Sequence, residues 1–281
     1  MSEHLLPNLV IIGAQKSAST FAQQIIADHP EVSMPGSEET YFEDPDFHER
    51  PLSELTRRFE GTTEKVRGIK RPNYIGKAEV PGRIAKILPE SKLIAVLRNP
   101  VDRAIAAYLH QVRFGTSPLM RLDAVMRELV EGAGELPGYK RSREILEFGK
   151  YHKYLSMYRT YLETGRLLVL LHDDILRDPR GCIRTCYQFL EVDPSFEPPS
   201  LHSRPMAAVN NPLRIKVLAA RNPLMFVYDP DRTRLYPRKM NVLQYTLAGG
   251  LTVLDRYILA PILPNAKPRL SLDVRKKVLE F

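Results

Sequence analysis

The chain has 281 residues, of which 43% are hydrophobic and 26% are charged, and its formal net charge is +8. This composition excludes an intrinsically disordered chain, and the length is sufficient to bury a core without disulfides or metal ions. Lys and Arg are spread along the chain, which favours an anionic ligand without distinguishing a nucleotide from a nucleic acid or an acidic polysaccharide.

The first predicted elements are a buried strand and a helix. Asn8–Gly13 (NLVIIG) is an apolar run that ends in glycine, as expected for a strand followed by a tight turn. Ser19–Asp28 has apolar residues at helical spacing and stops before His29 and Pro30. A strand, a turn and a helix in this order open an α/β unit.

Two later apolar runs repeat the pattern. Lys92–Leu97 (KLIAVL) predicts a second strand, and a helix follows it over Asp102–Val112. Leu167–Leu171 (LLVLL) predicts a third, again followed by a helix. Continuous apolar runs that alternate with helices are typical of a parallel sheet covered on both faces. We therefore predict a single α/β domain with a central parallel sheet flanked by helices.

The predicted domain spans residues 1–281, with a nucleotide-binding core over about 8–192 and an irregular part over about 200–281. Met34–Pro51 and Glu197–Pro212 are polar and proline-rich, which predicts long loops. Met240–Leu263 is the most apolar stretch, but charged residues interrupt it before it reaches a membrane-spanning length. We expect a buried or surface-docked helix there and no transmembrane segment.

Other features argue against secretion and against a metal site. Met1–Pro7 has no basic region before the short apolar run, so a signal peptide is not expected. Cys182 and Cys186 lie in one predicted helix without neighbouring His or Cys partners, which predicts core packing and neither a disulfide nor a metal site. The seven histidines form no metal-binding pattern either. We expect no metal, and a reducing compartment such as the cytoplasm.

The turn between the first strand and helix predicts a phosphate site. Gly13–Thr20 (GAQKSAST) leads into a helix N-terminus, where free N–H groups and the positive end of the dipole attract anions. Lys16 adds a charge, and three hydroxyl side chains add donors. The alternative is a polar turn with a serine N-cap. The segment differs from a nucleoside triphosphatase loop, since no second glycine precedes Lys16 and the second strand ends in Arg98 rather than in an acidic Mg²⁺ ligand.

Four blocks in order resemble the PAPS-dependent sulfotransferases, in particular the branch of heparan sulfate sulfotransferases and their bacterial relatives. Gly13–Thr20 resembles the loop that binds the 5′-phosphosulfate of 3′-phosphoadenosine 5′-phosphosulfate (PAPS). Glu38–Phe42 (EETYF) resembles the segment with the catalytic glutamate, and Gly68–Tyr74 (GIKRPNY) the segment with the active-site lysine. Lys92–Tyr108 resembles the 3′-phosphate segment. The likeness covers roughly residues 9–192.

The resemblance implies that a sulfuryl group passes from PAPS to a hydroxyl of an acceptor, which we expect to be a sugar or glycoconjugate. PAP is the expected product, and no nucleic-acid partner is expected. It implies Lys16, Glu38 and Lys70 as catalytic residues, with Glu39 as the alternative base. It also implies a set of nucleotide-binding residues: Gly13, Lys16, Ser17, Ala18, Ser19, Thr20, Arg98 and Ala106.

Departures from the family pattern leave some points open. Ala106 replaces the family serine that contacts the 3′-phosphate, Ala18 replaces a glycine and Ser19 a threonine. Arg71 follows the active-site lysine, and either it or Arg103 could supply charge where that serine is missing.

The residues leave other functions and roles open. A kinase-like P-loop phosphotransferase and a non-catalytic polyanion-binding protein are the alternative functions. Tyr41, Phe42 and Tyr74 could line an acceptor cleft or belong to the core.

Overall fold

The computed structural model describes residues 5–202 and 209–281. The first four residues of the N-terminal segment, and part of the Glu197–Pro212 loop predicted from the sequence, lie outside this range. Contacts divide the described chain into two compact units. The first unit runs to Arg98 and resumes at Lys150, and the second holds Asn99–Gly149 and the described residues from Val209 onward.

A five-stranded parallel sheet forms the centre of the first unit. Its strands are β1 (Leu9–Gly13), β2 (Val32–Ser33), β3 (Val66–Lys70), β4 (Lys92–Leu97) and β5 (Leu167–Leu171). Their order is β2-β3-β1-β4-β5, and all neighbouring pairs are parallel. The predicted α/β fold with a central parallel sheet is thus confirmed, and the bounds of β4 and β5 agree with the sequence prediction.

Alternate side chains of the central strands fill two separate cores. Val10 and Leu93 lie in the cluster on one face, while Leu9 and Ile94 lie in the cluster on the other. Helices of the first unit cover the sheet, since unbroken apolar strands must be buried on both faces. These helices are α1 (Ser19–Ala27), α2 (Ser53–Thr56), α3 (Val80–Ile87), α7 (Tyr151–Leu155), α8 (Arg159–Glu163), α9 (His172–Arg177) and α10 (Pro179–Leu190).

Both cysteines lie on α10 as free thiols. Cys186 is buried in the core, where burial raises the pKa of its thiol to about 12. Cys186 therefore packs as a small apolar side chain, as the sequence predicted.

The second unit is mainly helical and has its own core. It contains α4 (Pro100–Arg113), α5 (Leu122–Glu131), α6 (Glu144–Glu147), α11 (Pro212–Met225), α12 (Val242–Val253), α13 (Ala260–Ile262) and α14 (Leu272–Glu280), with an antiparallel hairpin of β6 (Phe226–Tyr228) and β7 (Leu235–Pro237). Residues of α4, α5, α11 and α14 form one hydrophobic cluster.

The prediction of an irregular part over about 200–281 was wrong. Asn211 caps α11 by accepting from the N–H groups of Leu213 and Arg214, and Asn241 forms a capping box with Gln244 at the start of α12. These asparagines are N-cap signals that the sequence analysis overlooked.

The expectation of a buried or surface-docked helix over Met240–Leu263 holds for α12, which packs one side on α11 and leaves most of its large apolar side chains exposed. No helix among the described residues is long and apolar enough to cross a membrane.

Candidate active site

The predicted site residues of the first unit gather at the carboxyl edge of the sheet. Strand β1 lies between β3 and β4, and all three run parallel. The turn after β1 is therefore flanked by the ends of the two neighbouring strands, which carry Lys70 and Arg98. Such an edge is where parallel α/β sheets commonly bind ligands.

The segment Gly13–Thr20, called the anion loop here, has a backbone that its sequence explains only in part. A Cβ atom on Gly13 would lie 2.5 Å from the carbonyl oxygen of Pro72 and 2.8 Å from a methyl carbon of Ile75, so only glycine fits. Lys16 and Ala18 adopt positive φ angles of 66° and 71°. Ala18 takes this left-handed conformation at a steric cost, since glycine is the residue that accepts it freely.

Two polar atoms of the anion loop are buried without a hydrogen-bond partner among the described residues. They are the Oγ of Ser17, which is wholly buried, and the Oε1 of Gln15. The amide nitrogen of the Gln15 side chain donates to Oδ1 of Asn73 at 3.0 Å, which ties the loop to the segment after β3. The first turn of α1 adds N–H groups that no helix satisfies internally. The loop is thus equipped to bind an anion.

Lys70 lies beside the start of α1. Its Nζ donates to Oγ1 of Thr20 at 2.9 Å and lies 3.8 Å from Oε1 of Glu38, although the residue is only 2% exposed. Burial lowers the pKa of the Lys70 ammonium, Glu38 opposes this shift and the charge of Arg71 adds to it. A buried ammonium next to an anion-binding turn favours a negatively charged ligand, because such a ligand compensates for its desolvation.

Of the two adjacent glutamates, Glu38 and Glu39, Glu38 is the exposed one. Its carboxylate accepts from Nη1 of Arg71 at 2.6 Å, and its side chain is 41% exposed. Arg71 also donates from Nε to Glu43 at 2.7 Å. Burial alone would lower the pKa of the Arg71 guanidinium, but the carboxylates of Glu43 and Glu38 raise it above the ordinary value. The structure therefore joins Lys70, Arg71 and Glu38 in one charged cluster.

Glu39 has a different environment, although it is adjacent in sequence. Its side chain is 4% exposed, Oε2 lies 2.5 Å from Nε of Arg58, and Oε1 accepts from the N–H of Tyr41 at 2.8 Å. Its own N–H donates to the carbonyl of Lys70 at 2.9 Å. Glu39 therefore anchors the segment that presents Glu38.

Arg98 supports the other side of the anion loop. Its Nη1 donates to the carbonyl oxygen of Lys16 at 3.1 Å, and its N–H donates to the hydroxyl of Tyr151 at 3.4 Å. Arg98 thus shapes the loop as well as adding charge to it. Sequence reasoning missed this role and the parts played by Asn73 and Tyr151. The blocks Gly68–Tyr74 and Tyr151–Leu155 pointed to the right segments without specifying these contacts.

Ala106 belongs to the second unit, on α4. Asn99 caps this helix, because its Oδ1 accepts from the N–H groups of Val101 at 3.1 Å and Asp102 at 3.2 Å. The side chain of Ala106 is partly exposed. Its predicted contact with a 3′-phosphate stays a prediction.

Both arginines proposed to supply charge where the serine is missing make contacts within the protein, and their role at the 3′-phosphate stays a prediction. Arg103 is fully buried and donates from Nη2 to the carbonyl oxygen of Glu144 at 3.3 Å and to that of Ile145. Arg71 is engaged with two carboxylates, as described above. Both therefore have structural partners of their own.

The aromatic residues near the site belong to the core. Tyr41, Phe42 and Tyr74 are all buried in one cluster of the first unit. The hydroxyl of Tyr74 donates to the carbonyl of Glu39 at 2.5 Å and accepts from the N–H of Phe42 at 3.2 Å. Of the two alternatives, the structure supports the core and contradicts an acceptor cleft, because all three rings are buried.

Comparison with known proteins identifies the class. The family model described as the sulfotransferase domain matches residues 6–204. The chain belongs to this family. The match includes the predicted core over about 8–192, whereas the predicted extent of one domain over residues 1–281 stays a prediction.

Similar proteins include heparan sulfate enzymes. The chain is 28% identical over 200 residues to human bifunctional heparan sulfate N-deacetylase/N-sulfotransferase 2, which covers 67% of this chain and 22% of that protein. It is 28% identical over 191 residues to mouse heparan sulfate glucosamine 3-O-sulfotransferase 3B1, covering 66% of this chain and 46% of the relative. The chain therefore spans less than half the length of these relatives.

A solved structure resembles a larger part of the chain. The crystal structure of a sulfotransferase from Alicyclobacillus acidocaldarius has a TM-score of 0.61 and 26% sequence identity, and it covers 77% of this chain and 92% of the other. Among the described residues of the present chain, no group of three or more His, Cys, Asp or Glu side chains is arranged to hold a metal ion.

Proposed function

We propose that this protein transfers a sulfuryl group from PAPS to an acceptor hydroxyl. The observation that carries the proposal is the position of Lys70, whose ammonium lies 2.9 Å from Thr20 of the anion loop and 3.8 Å from Glu38. An anion-binding turn, a buried cation and an accessible carboxylate meet at one edge of the sheet. Transfer of an anionic group needs these three parts to bind the donor, neutralise the leaving group and take up the acceptor's proton.

The residues fit a phosphosulfate. The buried Oγ of Ser17 lacks a partner among the described residues and has a donor to offer, as do the N–H groups at the start of α1. Gly13 leaves no space for a side chain at the base of the loop. Lys16, Lys70 and Arg98 supply three positive charges near the loop, and an oxyanion ligand would accept from the Ser17 hydroxyl and from the N–H groups at the start of α1.

In the proposed reaction the acceptor oxygen attacks sulfur in line with the bond to the 5′-phosphate oxygen. The new S–O bond forms as the bond to the phosphate breaks, and the leaving oxygen keeps the bonding electron pair. Lys16, Lys70 and the loop N–H groups stabilise the charge on that oxygen. Glu38 takes the acceptor's proton, for which its exposed carboxylate is accessible.

Arg71 positions Glu38. The guanidinium holds one carboxylate oxygen at 2.6 Å, which fixes the orientation of the group. Oε1 remains on the side of Lys70, 3.8 Å from Nζ. A base that is oriented before the acceptor arrives suits proton transfer.

A carbohydrate acceptor is part of the proposal. It is supported by the names of the similar proteins, which refer to heparan sulfate, and by the net charge of +8, which favours acidic polymers. A cytoplasmic location is also proposed, and the two free thiols on α10 are consistent with it.

Two measurements test this function. PAP should raise the melting temperature, and ATP with Mg²⁺ should do so much less, since the anion loop lacks the glycine spacing of a triphosphate loop. Radiolabelled PAPS should then transfer label to a member of a panel of desulfated saccharides. Equal shifts with ATP would favour the kinase-like alternative. PAP binding without transfer to any saccharide would leave the donor site in place and remove the carbohydrate acceptor from the proposal.

A further inference from the structure

Helix α12 in the second unit has an unusual outer side. Its sequence, VLQYTLAGGLTV, contains no Lys, Arg, Asp or Glu. One side of the helix packs on α11, where Arg221 donates to Thr252 at 3.3 Å and Ala248 is buried. A surface helix normally places charged residues on the side opposite its packed stripe. On α12 that side is apolar instead.

The exposed apolar side chains continue past α12 into the turns that follow. We call this set the apolar face, and its members are Val242, Leu243, Tyr245, Leu247, Val253, Tyr257, Ile258 and Ile262. Leu243 and Leu247 are 68% and 51% exposed and lie one helical turn apart. Single exposed apolar residues are ordinary, but eight large ones within 21 residues of the chain indicate an interaction surface.

Basic residues flank the apolar face along the chain. Arg238 and Lys239 precede α12 and are exposed, and Lys267 and Arg269 follow α13 and are also exposed. The one acidic residue between them, Asp255, is buried and accepts from Arg214 at 2.7 and 3.0 Å. The charge that this region presents to its surroundings is therefore positive.

We propose that the apolar face docks on the surface of a membrane that contains anionic lipids. The apolar side chains enter the boundary between headgroups and acyl chains, and the flanking basic residues contact lipid phosphates. The rings of Tyr245 and Tyr257 suit this boundary because one end is apolar and the other can hydrogen-bond. The segment lies on the membrane and does not cross it, in agreement with the lack of a spanning helix among the described residues.

The charges favour a lipid surface over a second copy of this chain. An interface between two apolar faces would bring the basic flanks of both copies together, with no exposed acidic residue in the segment 237–270 to compensate. An anionic membrane neutralises those charges. This inference is independent of the proposed enzymatic activity.

Vesicle co-sedimentation of the full chain tests the proposal. The chain should bind vesicles that mix phosphatidylcholine with phosphatidylglycerol, and it should bind pure phosphatidylcholine much less. Leu243→Ser combined with Leu247→Ser should weaken binding about tenfold or more, because two apolar anchors are lost. Arg238→Gln combined with Lys239→Gln should weaken it roughly 25-fold, since each basic residue near an anionic surface contributes about a factor of five.

A matched control is available on α14. Leu272 and Leu279 are 86% and 57% exposed, but they lie on a helix that also carries charged residues. Leu272→Ser combined with Leu279→Ser should leave vesicle binding unchanged. Circular dichroism and melting curves verify that each variant folds.

Three outcomes would overturn the proposal. The first is wild-type protein that fails to bind anionic vesicles, and the second is equal weakening by the α12 and α14 double variants. The third is a concentration-dependent dimer, measured by light scattering without lipid, that Leu243→Ser and Leu247→Ser dissociate; it would assign the apolar face to a second copy of the chain.

Discussion

Glu38 and Glu39 are adjacent, yet their carboxylates lie in opposite kinds of surroundings. Glu39 is buried against Arg58 and the N–H of Tyr41, whereas Glu38 is 41% exposed and faces Lys70 and Arg71. The sequence favoured Glu38 as the catalytic base and left Glu39, one position later, as the alternative. On this difference in exposure we propose Glu38 as the base and Glu39 as the residue that holds the segment in place.

Substituting Glu38 should therefore reduce turnover, whereas substituting Glu39 should reduce stability. Glu38→Gln should reduce turnover by about 10²–10⁴-fold, the usual contribution of a positioned base, with PAP affinity and stability nearly unchanged. Glu39→Gln should lower the free energy of unfolding by about 1–3 kcal/mol, because Arg58 loses a charged partner. Turnover assays and denaturant titrations measure both effects. A stable Glu39→Gln variant without turnover would transfer the role of base to Glu39.

The pKa of Lys70 predicts a pH dependence of donor binding. Its ammonium attracts the donor only below its pKa, and burial lowers that pKa from the ordinary value of 10.5. PAP affinity should therefore fall as pH rises through this lowered pKa, at a lower pH than an exposed lysine would give. Over the same window the free protein should gain stability relative to the unfolded chain, because the native state releases this proton first.

Lys70→Arg provides the control for this pH profile, since a guanidinium stays protonated throughout the accessible range. Calorimetric titration of PAP against pH should show the fall for the wild type and not for Lys70→Arg. Identical profiles for the two proteins would mean that Lys70 does not contact the bound anion.

The unpartnered hydroxyl of Ser17 predicts opposite effects on stability and binding. Ser17→Ala removes a buried polar group without a described partner, so the free protein should gain about 1 kcal/mol of stability. The same change should weaken PAP binding by about 1 kcal/mol, since a donor to the anion is lost. Ser91 is a buried serine whose Oγ already donates to Leu88 at 2.8 Å. As a control, Ser91→Ala should lower stability and leave PAP affinity unchanged. A loss of stability in Ser17→Ala would contradict the assignment of the Ser17 hydroxyl as a donor reserved for the bound anion.

Replacing Ala18 with glycine, the residue of the family pattern at this position, should stabilise the protein. The φ of 71° at Ala18 is costly for alanine, so Ala18→Gly should raise the free energy of unfolding by about 1 kcal/mol. Ala22, in the interior of α1, has ordinary helical geometry. Ala22→Gly should lower stability by about 1 kcal/mol or more, through helix propensity and lost packing. Equal losses in the two variants would show that the loop does not hold Ala18 in the left-handed conformation.

The elements that the sequence predicted well are those with one strong local signal. β4 and β5 are unbroken apolar runs, and the bounds of α1 follow from the turn before it and from His29 and Pro30 after it. β2 was missed because it has only two residues, and its place in the sheet depends on pairing with β3. α11 was missed because its cap signal, Asn211, stands beside a proline and before a weakly periodic apolar run, whereas α12 lies within the segment where a helix was expected.

The site was predictable as a set of segments and less so as a set of contacts. The motif order identified the anion loop, Glu38, Lys70 and Arg98, which the sheet then brings to one edge. The bond from Lys70 to Thr20 joins residues far apart in the chain, so no local pattern encodes it. Arg71 was recognised only as a departure, because its use depends on Glu38 and Glu43 approaching from a separate loop.

The last prediction concerns recognition of the 3′-phosphate, which the resemblance assigns to Arg98 and Ala106. Arg98 also supports the anion loop through the carbonyl of Lys16, so Arg98→Ala should weaken binding of any nucleotide that uses the loop. The 3′-phosphate contribution is therefore the difference between PAP and adenosine 5′-monophosphate, which differ only in that group. Arg98→Ala should reduce this difference by about 1.5–3 kcal/mol, the range for hydrogen bonds to charged groups.

Ala106→Ser should act in the opposite direction and on PAP alone. The side chain of Ala106 is partly exposed on α4, so a hydroxyl fits there without overpacking the core. It should tighten PAP by about 0.5–1.5 kcal/mol, the net value of one hydrogen bond, and leave adenosine 5′-monophosphate unaffected. Ala107→Ser, at the adjacent buried position, should lower stability without tightening PAP. Calorimetric titration of both nucleotides against all three variants measures these affinities. If Arg98→Ala weakens the binding of PAP and of adenosine 5′-monophosphate equally, Arg98 acts only through the anion loop, and the 3′-phosphate has no assigned partner.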